Sequence, residues 1–194
     1  MARAADIEPS GMAALIGADA GRAEEVARRR RDEGGRLEVA NLNAPGQVVV
    51  AGSADDIQWV RDNVRDLGVR RAMPLKVAAA FHSGFMEPAA DEVAAALSEV
   101  GFSDPQFPVW SNTTARQHQP ADLAATLRAQ VVSTVRFEAS LRDMAVAGVD
   151  TFVHIGPGDV TAGMARRTVD DATVLVVSGV ADIPDVADAL TTVA

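Results

Sequence analysis

Leu37-Glu38-Val39-Ala40-Asn41-Leu42-Asn43, then Ala44-Pro45-Gly46, then Gln47-Val48-Val49-Val50-Ala51, is the stretch whose reading decides the fold. Two apolar-bearing segments flank a Pro-Gly turn signal, which predicts a β-hairpin. Upstream, Met12-Ala13-Ala14-Leu15-Ile16 lies between Gly11 and Gly17; it is too short for a helix and reads as a strand. Asp19 suits the N-cap of a helix over 20–33, stopped by Gly34-Gly35. Downstream, Ser53 suits the cap of a helix reaching Leu67, with Ile57, Val60, Val64 and Leu67 at helical spacing, and 70–77 reads as another strand. The order strand, helix, strand, strand, helix, strand over 12–77 is the split βαβ arrangement of ferredoxin-like domains.

Beyond it, helices and strands alternate. A helix is expected over 85–100, with Met86, Ala90, Val93 and Leu97 on one face, then a short strand over 107–112 and helices over 121–132 and 136–147. Thr151-Phe152-Val153-His154-Ile155 reads as a buried strand running into Gly156-Pro157-Gly158 and a helix; a last strand covers 173–177 and a helix starts near Pro184. Helix-separated strands predict an α/β class with a parallel sheet, and about three strands are too few for the usual doubly covered one, so the sheet reads as incomplete.

A formal net charge of −9 argues against a nucleic-acid partner. The absence of cysteine excludes disulfides, thiolate metal sites and a cysteine nucleophile. No apolar run approaches the ~20 residues of a membrane span, and the first ten residues lack the apolar stretch of a secretory signal, so a cytoplasmic protein without a membrane partner is expected. The one basic block, Arg28-Arg29-Arg30-Arg31, reads as a solvated helix end or as a docking patch for an anionic partner.

Three histidines can be weighed singly. His118, among Gln117, Gln119 and Pro120, reads as a solvated loop residue, and His154 as a satisfied strand-end histidine or a functional one. His82 follows the strand-like run Val77-Ala78-Ala79-Ala80-Phe81 and precedes a helix, the strand-end position where open α/β sheets place active residues. Position alone leaves it between a catalytic and a structural role. Ser83 adjoins it, but sequence neighbours point apart more often than they pair. None of the nine serines has glycine two residues away on both sides, so the Gly-x-Ser-x-Gly elbow is absent. Gly156-Pro157-Gly158 lacks the third glycine of a dinucleotide loop, that position being Thr161, and reads as a tight strand-to-helix turn.

Several segments, in order, resemble the malonyl-CoA:acyl-carrier-protein transacylase family and the acyltransferase domains of polyketide synthases. They are 11–17, 41–52, Ala80-Phe81-His82-Ser83 with Met86-Glu87-Pro88-Ala89-Ala90, Ser111-Asn112, Gln130, and 148–158. The resemblance covers about 4–180, with the segments around Asn41-Leu42-Asn43-Ala44-Pro45-Gly46-Gln47 and Phe81-His82-Ser83 the most specific. It implies an α/β-hydrolase-like core with a ferredoxin-like insert, which divides the chain into a core or linker segment at 1–10, a ferredoxin-like subdomain at 11–78 and the carboxyl-terminal part of the core at 79–194.

The resemblance also implies chemistry. An elbow serine takes malonyl from malonyl-CoA and passes it to the phosphopantetheine thiol of acyl carrier protein, with no cofactor of the enzyme's own. His82 corresponds to the general base and Gln130 to the backbone carbonyl that orients it. Phe81 would crowd a 2-methyl branch and favour malonyl, and Asn43 and Asn112 fall at substrate-side positions. The family's serine, its malonyl-gripping arginine and its oxyanion amides all precede the region present here, so an amino-terminal half supplying Ser and Arg is the expected partner. His154 stands where relatives carry glutamate. Met1 aligns with an internal methionine of relatives, which leads to the expectation of a truncated or split reading frame, or an internal start.

Overall fold

The computed structural model describes residues 2–193, and the chain divides between Ser140 and Leu141 into two compact units. A short helix α1 (Ala2–Ala5) leads into β1 (Ser10–Ile16), α2 (Ala20–Asp32), β2 (Glu38–Ala44), β3 (Gln47–Ser53), α3 (Ala54–Asp62) and β4 (Arg71–Pro74). The strands form one antiparallel sheet in the order β2-β3-β1-β4, the ferredoxin-like arrangement expected from the sequence. Asp19 caps α2 by accepting the Arg22 amide at 2.8 Å, and Ser53 caps α3 in a capping box with Asp56.

Alternation along the strands sends side chains to two separate cores. Ala13, Leu15, Val39, Val48 and Val50 pack with Val26, Ala27, Ile57 and Val60 of α2 and α3. Met12, Ala40, Val49 and Ala51 face the other way, onto Ala79, Ala80, Phe85 and Met86. Burial on both faces explains the unbroken apolar run Val48-Val49-Val50-Ala51. It also places the segment around His82 on the sheet face opposite α2 and α3.

One buried carboxylate ties this unit together. Asp56 accepts Arg30 Nε at 2.6 Å on Oδ1, and on Oδ2 the Ser53 hydroxyl at 2.7 Å, the Ser53 amide at 3.1 Å and the Arg36 amide at 3.1 Å. A Cβ at residue 35 would stand 2.4 Å from both Arg30 Nε and Asp56 Oδ1, so the pair requires Gly35. The arginine run is therefore neither wholly solvated nor a free patch. Arg28, Arg29 and Arg31 hold Asp32, Glu33 and Glu24 at the surface, while Arg30 turns inward.

Several expected elements are shorter or missing. The helix from Ser53 ends at Asp62 instead of Leu67, because Asn63 Nδ2 bonds the Trp59 carbonyl at 2.9 Å and turns the chain. The strand expected over 70–77 is cut to Arg71–Pro74; the Leu75 amide still donates to the Met12 carbonyl of β1 at 2.9 Å, after which the chain turns away. No strand forms over 77–81; Val77 and Phe81 close tight turns onto the Leu75 and Ala79 carbonyls, at 3.0 Å each. The 107–112 strand reduces to one bridge between Trp110 and Gln117, and Phe107 is exposed.

A 3-10 turn (Gly84–Met86) opens α4 (Glu87–Leu97), followed by α5 (Leu123–Val132) and α6 (Phe137–Val146), within which the division between units falls. The second unit carries β5 (Thr151–Ile155), α7 (Val160–Thr168), β6 (Thr173–Val177) and α8 (Ile183–Val193). β5 and β6 pair in parallel, two strands where about three were expected. No described helix is long and apolar enough to cross a membrane.

Burial opposes ionisation of Asp56, but bonds from the Ser53 hydroxyl, the Arg30 guanidinium and the Arg36 and Ser53 amides overcome it and hold the carboxyl below the usual carboxylate range. A group depressed in the folded state stabilises it above the unfolded value of about 4, and that contribution is lost as pH falls through the folded value. Asp56→Ala is expected to cost about 3 kcal/mol, leaving Arg30 without its partner. Asp56→Asn should flatten the acid loss of stability; urea melts from pH 7 to pH 3 with the parent's slope in that variant would refute the assignment.

Candidate active site

His82 sits in a turn, not at a strand end. Its backbone lies in the left-handed region at φ 58°, uncommon for a residue with a side chain and worth roughly 1–3 kcal/mol of strain. The approach to the turn is pinned: the Ala80 amide donates to the Ser10 hydroxyl of β1 at 3.2 Å, and the Ala80 carbonyl accepts the Ser83 hydroxyl at 2.5 Å. Ser83 is fully buried and its hydroxyl is used on Ala80.

The ring of His82 reaches Gln130. Nδ1 lies 3.0 Å from the Gln130 carbonyl oxygen, and since a carbonyl only accepts, Nδ1 carries the proton in the neutral ring. Nε2 makes no hydrogen bond among the described residues. Gln130 falls in the last turn of α5, where carbonyls have no partner within the helix, so its oxygen is free for this bond.

The segment after α5 fixes that helix end. The Val135 amide donates to the Ala40 carbonyl and the Leu42 amide to the Val135 carbonyl, both at 2.8 Å, a parallel bridge on the outer edge of β2. The Thr134 hydroxyl donates to the Val39 carbonyl at 2.6 Å. β2 is irregular here, with register shifts between Val39 and Asn41 and between Leu42 and Ala44. Such bulges recur beside functional sites because they re-aim the chain. At the surface, Arg128 of α5 forks onto Glu87 and Asp91 of α4, each at 3.0 Å.

Of the residues singled out from sequence, the structure joins His82 and Gln130. Half-buried Phe81 packs on the apolar cluster of Met12, Val49 and Met86. Asn43 on β2 and Asn112, whose carbonyl accepts the Arg136 amide at 2.9 Å, make no side-chain hydrogen bond to either among the described residues. Sequence reading missed Ser10 and Thr113. The Thr113 hydroxyl lies 3.4 Å from Gln130 Oε1, while Gln130 Nε2 is buried without a partner. Neither residue carried a local signal, since each acts across many positions of chain.

The other histidines differ from His82. His154 lies between the Thr161 hydroxyl at Nδ1 and the Gly156 carbonyl at Nε2, a locally satisfied ring in the turn that Gly156 and Gly158 form at positive φ. His118, expected in solvent, is half-buried with Nδ1 enclosed and unbonded, because its amide folds the loop back onto the Val109 carbonyl at 2.7 Å. Among the described residues no cluster of His, Asp or Glu could hold a metal ion.

This α/β chain, with its histidine held on a helix-end carbonyl, is similar to enzymes that transfer acyl groups. The acyl transferase domain family matches residues 6–192, and the chain belongs to that family. The malonyl CoA-acyl carrier protein transacylase of Bacillus subtilis strain 168 is 38% identical over 157 residues, covering 80% of this chain and 50% of the relative. An acyl carrier protein S-malonyltransferase structure from Vibrio cholerae O1 matches with a TM-score of 0.82 at 34% identity, over 91% of this chain and 58% of that one. A malonyl-transacylase in complex with its type II PKS acyl-carrier protein matches with a TM-score of 0.90 at 29% identity, over 97% and 61%. The chain thus spans about half the length of the curated relatives it matches.

Long-range ¹⁵N–¹H spectra of the ring, taken where it is neutral, should show His82 as the Nδ1–H tautomer. Val135→Pro, which deletes the amide held by Ala40, should erode that single form. An Nε2–H ring in the parent would refute the described orientation.

Proposed function

We propose that this chain is the base-bearing part of a malonyl-CoA:acyl-carrier-protein transacylase, working in the cytoplasm with an amino-terminal segment that supplies serine and arginine. The bond from His82 Nδ1 to the Gln130 carbonyl carries the reading, because it turns an unprotonated Nε2 outward as a base needs.

In the first half-reaction Nε2 takes the serine proton as the hydroxyl attacks the malonyl thioester. The C–S bond breaks, the acyl group becomes a serine ester, and the departing CoA thiolate takes the proton from the imidazolium. In the second, the phosphopantetheine thiol of acyl carrier protein gives its proton to Nε2 and attacks the ester, and the serine oxygen leaves and is reprotonated. The Gln130 carbonyl keeps its bond to Nδ1–H throughout and so holds the ring in place at each proton transfer. Phe81 narrows the acyl site against a 2-methyl branch, and Asn43 and Asn112 border the substrate. No cofactor belongs to the enzyme itself, phosphopantetheine arriving on the carrier. Supply of malonyl units to fatty-acid or polyketide synthesis follows from this chemistry.

Alone, the chain has no elbow serine to acylate, and mass spectrometry after incubation with malonyl-CoA should find no malonyl adduct. Joined to a family amino-terminal segment, it should transfer malonyl to carrier protein. His82→Ala should then lower the rate by roughly 10²–10⁴-fold with little change in melting. His154→Ala should lower stability by about 0.5–1.5 kcal/mol instead, its ring being hydrogen-bonded but only partly buried. Near-parental transfer in His82→Ala would overturn the assignment.

A further inference from the structure

The turn that presents His82 is held by a residue to which the reaction above gives no part. Ser83 occupies the N-cap of the helical run opened by Gly84–Met86, yet its hydroxyl makes no cap bond, being spent on Ala80. The first amide of the run, on Gly84, donates instead to Glu38 Oε1 at 3.1 Å, from a residue 46 positions upstream at the start of β2. A Cβ on Gly84 would lie 3.3 Å from that same oxygen, so the carboxylate stands close against the backbone. A hydrogen bond to an ionised acceptor is roughly twice as strong as a neutral one.

The position of that bond matters more than its strength. His82 is flanked by the Ala80 anchor on one side and the Gly84 anchor on the other, and between them its φ of 58° is a conformation a free chain leaves. β2 also carries the Val135 bridge that sets the end of α5, and so the Gln130 carbonyl. Both ends of the His82–Gln130 bond are thus referred to one strand.

We propose that Glu38 is a positioning residue for His82: its carboxylate fixes the Ser83-Gly84 peptide, which holds the left-handed turn and aims Nδ1 at Gln130. Its consequence for catalysis rests on the reading of His82 as the base; the positioning itself does not.

The test uses this chain with Glu38→Ala and Glu38→Gln, followed by ring ¹⁵N spectra of His82 and by thermal melts. Glu38→Ala should convert the single Nδ1–H tautomer into a mixture while the melt stays close to the parent's. Glu38→Gln keeps a carbonyl acceptor at the same reach and should restore the single form. With the amino-terminal segment joined, Glu38→Ala should lower kcat by on the order of 10-fold or more with KM little changed, the mark of a misplaced group. A parent-like spectrum in Glu38→Ala, its global unfolding, or a Glu38→Gln no better than alanine would each overturn the proposal. If the joined parent transfers no malonyl, the catalytic reading fails by itself and the ring spectra still decide Glu38.

Discussion

The Asp56 carboxylate is the constraint on which the first unit depends. It is almost wholly buried, so it would be costly in isolation, and four donors from three parts of the chain offset that cost. Arg30 brings the end of α2, the Arg36 amide brings the approach to β2, and Ser53 brings the junction of β3 and α3. Fixing Arg36 fixes where β2 begins, two residues later at Glu38. From there the dependence runs outward: Glu38 meets the Gly84 amide, Ala40 and Leu42 meet Val135, and the ring and carbonyl of the candidate site follow.

The sheet serves the site through its second face. A ferredoxin-like sheet commonly needs only one apolar face, covered by its helices, yet here β1 and β3 are apolar on both. The face away from α2 and α3 seats Ala79, Ala80, Phe85 and Met86, apolar side chains on either side of His82. Packing of these neighbours supplies what a strained backbone at His82 gives up. The shifts in β2 register belong to the same design, since they let one edge pair with β3 and the other accept Val135.

What the sequence disclosed was local. The hairpin around Pro45-Gly46, the Asp19 and Ser53 caps and the split βαβ order all depend on residues a few positions apart, and all formed. The reading of 77–81 as a strand failed for a physical reason: Ala79, Ala80 and Phe81 satisfy a packing face, not a ladder, Val77 and Ala78 are exposed, and the amides of Val77, Ala80 and Phe81 close turns or meet Ser10. The Asp56 hub was equally hidden. Ser53 and Asp56 announce a capping box, but nothing near them announces Arg30, 26 positions away.

The partnership of His82 and Gln130 was legible through family resemblance alone, and the chemistry explains why. The atom that meets the ring is a backbone oxygen, which every residue type possesses, so the side chain at 130 carries no direct record of the bond. What the bond requires is that α5 stop within a turn of this residue, leaving the carbonyl without a helical partner. That stop is set by the 133–136 segment pairing with β2, a long-range contact with no motif of its own. A neutral carbonyl fixes the tautomer without placing a full negative charge beside the ring, so the ring is oriented by geometry more than by electrostatic attraction. Orientation of this kind is only as firm as the two chain segments that meet, and both are anchored on β2.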